Sequence, residues 1–425
     1  MRIALYHNLP SGGAKRSVAE HLKRLARRHT IHVYTLSCAD HDFADLRPYA
    51  HDHRIFPFRP LPLFRSPFGR LNQLFRLVDL FRLNSLNRTI ANEIGAGNYD
   101  LVCVHPCQFS NAPSLLTWLT GTRGKNYFPN ELAQALPPSL ARPNPPNVPV
   151  IFFCHEVLRR LYDPPIAREY RRKRGFRHLM DRLDPLPSLY HTFLQRADGR
   201  AIRAADVVLA NSYFTRETVL RFHRVIARVC YWSGVDAERF RPLYVERRAF
   251  VLSVGALRPA KGFDFLIESI ALIPSPRRPP LVVVCNYEDP MEKQYLLSLA
   301  NRRGVQFEVK SRVHDETLIT LYNQAAVVAY TPFLEPFGLV PLEAMACATP
   351  VVAVAEGGIR ETIVHEQTGF LLNRDPAEFA EAIQELLANE SLNRRLGEQG
   401  REYILSRWSW DLAVERLEAV LEKLS

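Results

Sequence analysis

Apolar residues in this chain follow two patterns that alternate from beginning to end. Short continuous runs predict buried strands, and the longer segments between them carry apolar residues at helical spacing. The predicted strands cover residues 2–7, 31–36, 54–58, 99–105, 148–154, 205–210, 250–255, 281–285, 305–310, 327–330, 351–354 and 368–372. Strand, turn and helix in succession indicate a doubly wound α/β architecture.

The first strand is followed by a glycine turn. Gly12 and Gly13 separate it from a helix that begins near Lys15 and has one apolar face. Glycines at this position would let a phosphate or a sugar approach the backbone. A plain tight turn explains two glycines at least as well, because the dinucleotide fingerprint G-x-G-x-x-G is absent here.

The length of the chain, 425 residues, exceeds the size at which a single hydrophobic core stops growing. Two domains of about 200 residues each are therefore expected, and a hydrophobic content of 47% is enough to build both. No apolar run reaches about 18 residues, and Met1 leads directly into a strand, so the sequence predicts neither a membrane span nor a signal peptide.

The seven cysteines are odd in number and scattered along the chain. Cys103, Cys154, Cys230 and Cys285 lie in apolar runs typical of strands, and Cys103 and Cys107 lack the spacing of metal ligands. This pattern predicts reduced core residues in a cytoplasmic protein.

The densest group of chemical features lies in residues 327–358. Apolar runs near its ends predict two strands, and a helix between them is expected to start near Gly338, with Glu335 before and Glu343 after this point. Unpaired N–H groups at a helix start suit phosphate or sugar hydroxyls, and carboxylates accept strong hydrogen bonds from hydroxyls. For an isolated pair of glutamates, exposed positions on a loop and on an ordinary helix are the commoner interpretation.

The residues around these glutamates narrow the interpretation. The chain reads E-P-F-G-L-V-P-L-E from Glu335 to Glu343 and continues A-M-A-C-A-T-P-V-V-A. This gapless stretch closely resembles the donor-sugar signature of retaining, nucleotide-sugar-dependent glycosyltransferases of the family 4 type. Residues 234–242, which read G-V-D-A-E-R-F-R-P, are similar to the family's crossing into its second domain.

The resemblance implies a GT-B fold, an α/β fold in which two doubly wound Rossmann-like domains face a cleft. An N-terminal, acceptor-side domain is expected in residues 1–235, joined by a C-terminal helix, residues 409–425, that crosses back to it. A C-terminal domain that binds the nucleotide sugar is expected in residues 236–408. About three-quarters of the chain follows this plan, with departures after Gly121 and after His155.

The resemblance also implies roles for single residues. The candidate catalytic residues are His155, expected to contact the donor sugar near the reacting carbon, Lys261, expected to stabilise the departing diphosphate, and Glu335, expected to bind sugar hydroxyls. The candidate donor-binding residues are Gly12, Gly13, Arg258, Lys261, His314, Phe337, Gly338, Leu339 and Glu343.

Three of these expectations are more specific. Glu343 would accept hydrogen bonds from the ribose, and His314 would line the pocket of the base. The common family pattern G-R-L-x-x-x-K-G has an arginine where this chain has Ala256. Either Arg258 takes over its role or the second cation comes from elsewhere.

A formal charge of +11 suits anionic donors, an anionic membrane or nucleic acid. No zinc-finger, RNA-recognition or basic-zipper signature is present, so nucleic acid is not expected as a partner. Residues 64–94 form a helical stretch rich in Leu, Phe and Arg. Leu71, Leu74 and Val78 share a face of it but Leu77 does not, so docking on anionic lipid and burial between layers both stay open.

A second basic stretch covers residues 159–203 and contains the run Arg171-Arg172-Lys173-Arg174. A solvated helix face and a site for phosphate of an acceptor or lipid explain it about equally well.

The expected function is transfer of a glucosyl- or mannosyl-type unit from a nucleotide-diphosphate sugar to a saccharide or lipid-linked acceptor, with retention of configuration. No cofactor and no metal is expected, because cations and a helix start can hold the diphosphate and no Asp-x-Asp motif stands in the expected place. The protein is expected in the cytoplasm, with peripheral contact to the inner face of an anionic membrane. Two alternatives remain: an inactive nucleotide-sugar-binding scaffold, and an epimerase that would interconvert the free donor without an acceptor.

Overall fold

The computed structural model of the protein describes residues 1–64, 71–120, 148–163, 166–168, 170 and 184–424. The chain divides into two compact units. Unit 1 contains Met1–Pro164, Arg174–Trp232 and Val414–Ser425, and unit 2 contains Pro165–Lys173 and Ser233–Ala413. Each unit has one parallel sheet with helices in the connections, which confirms the predicted pair of doubly wound α/β domains.

Unit 1 is built on the first seven strands of the described chain. These are β1 (Arg2–Asn8), β2 (Thr30–Leu36), β3 (Asp52–Phe56), β4 (Leu101–Cys107), β5 (Val150–Cys154), β6 (Val207–Ala210) and β7 (Arg228–Val229). They pair in the order β3-β2-β1-β4-β5-β6-β7. The helices between them are α1 (Gly13–Leu25), α2 (Asn72–Ala96), α3 (Leu115–Thr120), α4 (Leu186–Ala204) and α5 (Tyr213–His223).

Unit 2 repeats this plan with six strands. These are β8 (Arg248–Val254), β9 (Leu281–Cys285), β10 (Phe307–Ser311), β11 (Ala325–Tyr330), β12 (Val351–Val354) and β13 (Gly369–Leu372). They pair in the order β10-β9-β8-β11-β12-β13. The helices that follow are α6 (Phe263–Leu272), α7 (Pro290–Arg303), α8 (Asp315–Gln324), α9 (Leu339–Ala346), α10 (Pro376–Ala388), α11 (Glu390–Arg407) and α12 (Trp410–Leu421).

The central strands are buried along most of their length because helices cover both faces of each sheet. Every residue of β4 and of β11 is buried. In β1, Ala4 and Tyr6 belong to the core on one face of the sheet, and Ile3 and Leu5 belong to the core on the other. Continuous apolar runs, rather than alternating ones, are therefore the correct signal for these strands.

The last helix, α12, ends in unit 1. Val414, Leu417 and Leu421 recur at helical spacing and are buried in one of the cores of this unit. A helix that returns to the N-terminal domain was expected from the sequence, and this packing supplies its physical basis.

Helix α2 explains why the apolar residues of the stretch 64–94 scatter around a helical wheel. One face packs on the core of unit 1 through Leu80, Leu83 and Leu86. The opposite face carries the exposed apolar side chains Leu74 (41%), Val78 (47%) and Phe81 (59%), and Leu71 (40%), the residue before the helix, continues it. Burial and exposure are both present, on two sides of one helix.

Several predicted features lie outside the described residues, among them the loop after Gly121 as far as residue 147 and the run Arg171–Arg174. Arg168, close to that run, is described. It donates hydrogen bonds to Asp264 (2.8 Å) and to Glu292 (3.1 and 3.2 Å) within unit 2. For this residue the interpretation as a solvated face is wrong, because its side chain is 7% exposed and pairs with two carboxylates. Phosphate binding by the basic stretch stays a prediction.

The order of strands reverses once in each sheet, between β1 and β4 in unit 1 and between β8 and β11 in unit 2. In doubly wound sheets, ligands bind outside the carboxyl ends of the strands at this reversal. These carboxyl ends of the strands, named the carboxyl edges of units 1 and 2, hold most of the residues predicted to act on a ligand.

All seven cysteines are free and six of them are buried.

Candidate functional site

Lys261 and Glu335 lie together at the carboxyl edge of unit 2, although the sequence assigned them to different parts of a ligand. Lys261 Nζ donates to Glu335 Oε2 over 2.8 Å, and the two side chains are 25% and 23% exposed. A partly exposed ion pair contributes little to stability. A ligand that brings both an anionic group and hydroxyls can therefore replace this contact at small cost.

The backbone around Lys261 is fixed by the glycine that follows it. Gly262 has a φ of +68°, and a Cβ there would lie 2.2 Å from the carbonyl oxygen of Thr331. The hydroxyl of Thr331 donates to the carbonyls of Lys261 and Gly262, each over 3.1 Å. The end of β11 thus packs directly on the turn after β8, which places Lys261 beside the loop that carries Glu335.

Two glycines at the end of β12 hold Glu335. A Cβ on Gly357 would lie 2.3 Å from the carbonyl oxygen of Glu335, and one on Gly358 would lie 2.0 Å from that of Pro336. The N–H of Gly358 donates to the Glu335 carbonyl over 2.8 Å. The sequence showed these glycines but gave no reason to assign them a role, because the close approach is tertiary.

Arg374 and Glu356 form a second ion pair that sequence reasoning missed. Arg374 donates to Glu356 over 2.7 and 2.9 Å, and to the carbonyls of Thr331 and Pro332 over 3.0 Å each. The guanidinium therefore ties the loops after β11, β12 and β13 together. Only its position after β13 could have suggested this role.

Glu343 is a buried carboxylate on α9, with 8% of its surface exposed. The simple interpretation of Glu343 as a surface residue is wrong. The hydroxyl of Tyr322 donates to it over 2.8 Å, and burial, with the nearby Glu343 charge, raises the pKa of Tyr322 well above its usual range. Burial and the charges of Glu335 and Glu343 do the same to the pKa of Tyr330. Both phenols therefore remain donors at all physiological pH values.

The start of α9 has the geometry expected of an anion or hydroxyl site. Gly338 has a φ of +97°, and no side chain of the described residues caps the helix. Its first N–H groups, which begin at Leu339, are thus available. Phe337 is buried, with its ring 5.4 Å from that of Trp408, and fixes the direction from which the chain enters the helix.

Arg258 and His314 are both exposed and lie further along the same edge. The Arg258 guanidinium lies 4.3 Å from the centre of the Tyr287 ring, a cation–π contact. His314 precedes α8 and makes no capping hydrogen bond to it. It follows β10, which is separated from β8 by β9.

In unit 1, Gly12 and Gly13 lie where β1 passes into α1. Gly12 has a φ of +147°, and a Cβ there would meet no atom of the described residues within 4 Å. Gly13 is the exposed first residue of α1. Open space beside a helix start is compatible with the predicted approach of a ligand to this turn.

His155 follows β5 and is buried in a group of aromatic side chains. Its Nε2 lies 3.1 Å from His105 Nδ1, and its ring lies 5.6 Å from that of Trp232. Burial lowers the pKa of His155 to about 3 and that of His105 well below its usual range. Both imidazoles are therefore neutral and act through hydrogen bonds rather than through charge.

Three further residues at this edge were missed from the sequence, namely His7, Lys15 and His21. Lys15 is 1% exposed, and its Nζ lies 3.3 Å from His7 Nε2. Burial lowers the pKa of Lys15 to about 8 and that of His21 to about 4. The available signal was the position of Lys15 on the apolar stripe of α1, three residues before Val18.

Comparisons with known proteins show which families and folds this chain is similar to. The family model described as glycosyl transferases group 1 matches residues 235–403. The human alpha-1,3/1,6-mannosyltransferase ALG2 is 28% identical over 264 residues, 56% of this chain and 64% of the relative. A D-inositol 3-phosphate glycosyltransferase of Corynebacterium diphtheriae is 32% identical over 186 residues, 42% of this chain and 43% of the relative. The chain thus spans less than two thirds of the length of either relative.

Two solved structures share the fold over the whole chain. A sucrose-phosphate synthase of Thermosynechococcus elongatus has a TM-score of 0.69 at 21% identity, covering 100% of this chain and 99% of that one. HepE of Anabaena, solved in complex with UDP and glucose, has a TM-score of 0.66 at 19% identity, with 100% of both chains covered. The predicted fold and the resemblance to glycosyltransferases are confirmed, whereas retention of configuration stays a prediction.

Proposed function

We propose that this protein is a glycosyltransferase, because residues 235–403 match the glycosyl transferases group 1 family. It moves a glucosyl- or mannosyl-type hexosyl unit from a nucleotide-diphosphate sugar to a saccharide or lipid-linked acceptor, with retention of configuration. The observation that carries the proposal is the exchangeable Lys261–Glu335 pair next to the uncapped start of α9.

In this proposal unit 2 supplies the donor site. Lys261 leaves Glu335 and neutralises the diphosphate, and Glu335 then accepts hydrogen bonds from sugar hydroxyls. The N–H groups at the start of α9 assist them. Glu343, already buried and held by its hydrogen bond from Tyr322, accepts from the ribose.

The same residues explain why no metal is proposed. Lys261 and the positive end of α9 place charge where a leaving diphosphate develops it, and Arg258 adds a second cation at this edge. In the proposed reaction, residues 236–408 bind the donor. Residues 1–235, with 409–425, hold the acceptor and contribute His155, Gly12 and Gly13.

The relatives support a sugar donor with a nucleotide. ALG2 is named a mannosyltransferase and the bacterial relative a glycosyltransferase acting on an inositol phosphate. HepE was solved with UDP and with glucose. The names of these proteins do not identify the hexose or the base of this protein's donor. Both have to be determined by experiment.

The test is a thermal-shift panel of nucleoside diphosphates and nucleotide sugars against the wild type, Lys261→Ala and Glu343→Ala. A ligand that binds the folded state raises the melting temperature by mass action. We expect one nucleotide sugar to stabilise the wild type and both variants to lose the response. Lys293→Ala serves as the matched control, because Lys293 also pairs with a glutamate, Glu288, but at the start of α7.

Turnover separates the remaining classes of protein. With the stabilising donor and a panel of acceptors, glycoside formation supports the transferase. Binding without any turnover would show a scaffold, and conversion of the free donor to its epimer without an acceptor would show an epimerase. If no nucleotide at millimolar concentration changes the melting temperature, only the fold survives from this proposal.

A cytoplasmic location with contact to an anionic membrane is part of the proposal. Among the described residues, no helix combines the length and apolar character needed to cross a bilayer. The exposed face of α2, formed by Leu71, Leu74, Val78 and Phe81, supports contact with the surface instead.

Charge favours anionic lipid as the occupant of this face. The one acidic residue between Leu71 and Asn92, Asp79, is buried and bonded to Arg82, which is itself exposed. Phe81 extends the face to Phe193 of α4, with the two ring centres 5.2 Å apart. We expect the protein to sediment with vesicles of phosphatidylcholine and phosphatidylglycerol, but not with phosphatidylcholine alone.

The double variant Leu74→Ser and Phe81→Ser is expected to lose vesicle binding. Leu297→Ser and Leu405→Ser, which remove two exposed leucines of unit 2, are expected to keep it. Vesicle binding that survives the α2 change would refute this surface. Dimerisation that depends on Leu74 and Phe81 would assign it to a second copy of the chain.

A further inference from the structure

Lys15 is a buried cation for which the proposed reaction has no use. Its side chain is 1% exposed and lies on the buried face of α1. Among the described residues it forms no ion pair, and the carboxylates of Asp40 and Asp45 act on it only through space. Buried charges are normally paired, because a lone ammonium in a protein interior costs free energy.

The neighbour of Lys15, His7, cannot satisfy both of its contacts while Lys15 is charged. The N–H of Leu9 donates to His7 Nδ1 over 3.4 Å, which requires a lone pair on Nδ1. A neutral imidazole then carries its proton on Nε2. That proton points at Lys15 Nζ, 3.3 Å away, and an ammonium has only protons to offer. Two donors, Nε2–H of His7 and the Lys15 ammonium, thus face each other.

The position of the pair is one where ligands bind. His7 lies near the end of β1 at the reversal of strand order, where the pairing of β1 with β4 shifts register between Tyr6 and Asn8. Gly12, in the turn that leads to Lys15, has open space beside it, and no side chain of the described residues caps α1. Open space beside Gly12, the buried cation Lys15 and the His7 Nε2 proton that faces this cation therefore occur within one strand, turn and helix.

We propose that Lys15 and His7, together with the turn at Gly12, bind a phosphate group. Its oxygens accept hydrogen bonds from the Lys15 ammonium and from Nε2–H of His7 at the same time. Leu9 keeps its hydrogen bond to Nδ1. A single anion thus supplies the missing charge and removes the conflict between two donors.

This inference deepens the proposed function, on which it rests for the source of the phosphate. A phosphorylated acceptor and the diphosphate of a donor offer the same chemistry to Lys15. The experiment therefore uses inorganic phosphate and glycerol 3-phosphate as probes, with and without saturating UDP.

Thermal-shift titrations compare the wild type with Lys15→Met and Lys15→Arg. We expect both probes to stabilise the wild type, Lys15→Arg to keep the response, and Lys15→Met to bind at least about tenfold more weakly, as for a lost charge-assisted hydrogen bond. Lys23→Met is the matched control, because it removes the same charge from the last turn of the same helix. Lys15→Gln replaces Lys15→Met if the latter fails to fold.

A phosphate response that survives in Lys15→Met, or is missing in the wild type, overturns the site. If the response adds to that of saturating UDP, the phosphate belongs to an acceptor. If UDP removes it, the phosphate belongs to the donor. Should UDP and its sugars fail to bind while phosphate still protects through Lys15, the transferase proposal falls and the anion site remains.

Discussion

The buried polar groups at the carboxyl edges of the two units differ in how they are neutralised. In unit 2, charges come in pairs: Lys261 with Glu335, and Arg374 with Glu356. In unit 1, the buried bases are neutral histidines, and the buried cation Lys15 has no carboxylate partner among the described residues. The cations Lys261 and Arg374 of unit 2 are thus neutralised by carboxylates, and the cation Lys15 of unit 1 is not neutralised by any carboxylate that the structure describes.

The difference between paired charges in unit 2 and neutral histidines in unit 1 determines which ligand groups each edge can bind. A paired charge can be exchanged, so unit 2 can take up an anion and hydroxyls at the moment when Lys261 and Glu335 separate. Neutral imidazoles such as His155 and His105 can only direct hydrogen bonds. In the proposed reaction, the neutral histidines of unit 1 are therefore suited to orienting a sugar by hydrogen bonds, and the Lys261–Glu335 pair of unit 2 is suited to stabilising the charge that develops.

The largest effect is expected from breaking the pair in unit 2. Lys261→Met removes the cation that meets the diphosphate in the proposed reaction. We expect turnover to fall by about a hundredfold to a thousandfold, as for other lost groups that stabilise developing charge. The measurement is kcat with the donor identified by thermal shift.

Stability provides the control for this variant. Because the Lys261–Glu335 pair is partly exposed, its loss changes the free energy of unfolding by no more than about 1 kcal/mol. A variant that retains wild-type turnover would show that Lys261 does not face the leaving group. Glu335→Gln, which keeps the shape of the side chain, separates loss of the pair from loss of the hydroxyl acceptor.

The second prediction compares the glycines of the two edges. Gly358→Ala would bring a methyl group within 2.0 Å of the Pro336 carbonyl oxygen, so the loop that carries Glu335 must move. We expect a loss of about 3 kcal/mol in the free energy of unfolding, measured by urea denaturation, and loss of donor binding.

Gly12→Ala is the matched change in unit 1. A Cβ there meets no described atom within 4 Å, and only the φ of +147° opposes it. We expect a loss of about 1 kcal/mol, the cost of placing alanine in such a conformation. Equal losses for the two variants would contradict the difference in crowding between the edges.

The glycines also show how far sequence reasoning reaches. The strands and the Lys261, Glu335 and Glu343 positions follow from local pattern and from the gapless family signature. That Lys261 and Glu335 touch does not follow, because it depends on Gly262 and Gly358 letting three loops approach within van der Waals distance. Spacing along one segment cannot reveal contacts made between segments.

Unit 1 is less predictable for a related reason. Its site residues, His7, Lys15, His105 and His155, come from four separate elements and form no motif. His155 was found only because a strand end and a family resemblance coincided. Lys15 lies on an apolar helix stripe, a local inconsistency that sequence reasoning can detect but cannot explain without the position of His7.

The third prediction concerns the loss of stability in acid that a buried histidine of unit 1 causes. His21, held neutral by burial, has a pKa of about 4 in the folded protein and about 6.5 when unfolded. The unfolded chain therefore binds the proton more tightly, so this stability is complete above pH 6.5 and is lost as the pH falls toward 4. Between pH 7.5 and 5 we expect a loss of about 2 kcal/mol from His21 alone.

His21→Gln isolates this contribution, because glutamine does not titrate but can still donate to the carbonyl of Trp232, the 2.7 Å partner of His21 Nε2. Urea denaturation at pH 7.5 and 5 should show a smaller acid loss for the variant. Asp198, whose pKa burial raises to about 7, acts in the opposite direction in both proteins and cancels in the comparison. An unchanged acid loss would mean that His21 is not the proton acceptor.

The smallest effect is expected from Arg258→Met. This variant tests whether Arg258 and Lys261 both contribute positive charge to binding of the diphosphate. Its guanidinium is exposed and stacked on Tyr287 at 4.3 Å, so it is held at the edge but not enclosed. Arg258→Met should weaken binding of the nucleoside diphosphate several-fold, equivalent to about 1 kcal/mol. Titration by isothermal calorimetry measures this difference directly.

The sequence itself offers the complementing change. If Arg258 stands in for the arginine that the family pattern places at position 256, Ala256→Arg in the Arg258→Met background should restore most of the affinity, since both positions lie in the same turn after β8. Tyr287→Leu alone should cost less than Arg258→Met, because it removes the stack but leaves the cation. If Arg258→Met binds the diphosphate like the wild type, Lys261 and the start of α9 carry the charge alone, and unit 2 stabilises its leaving group with a single side chain.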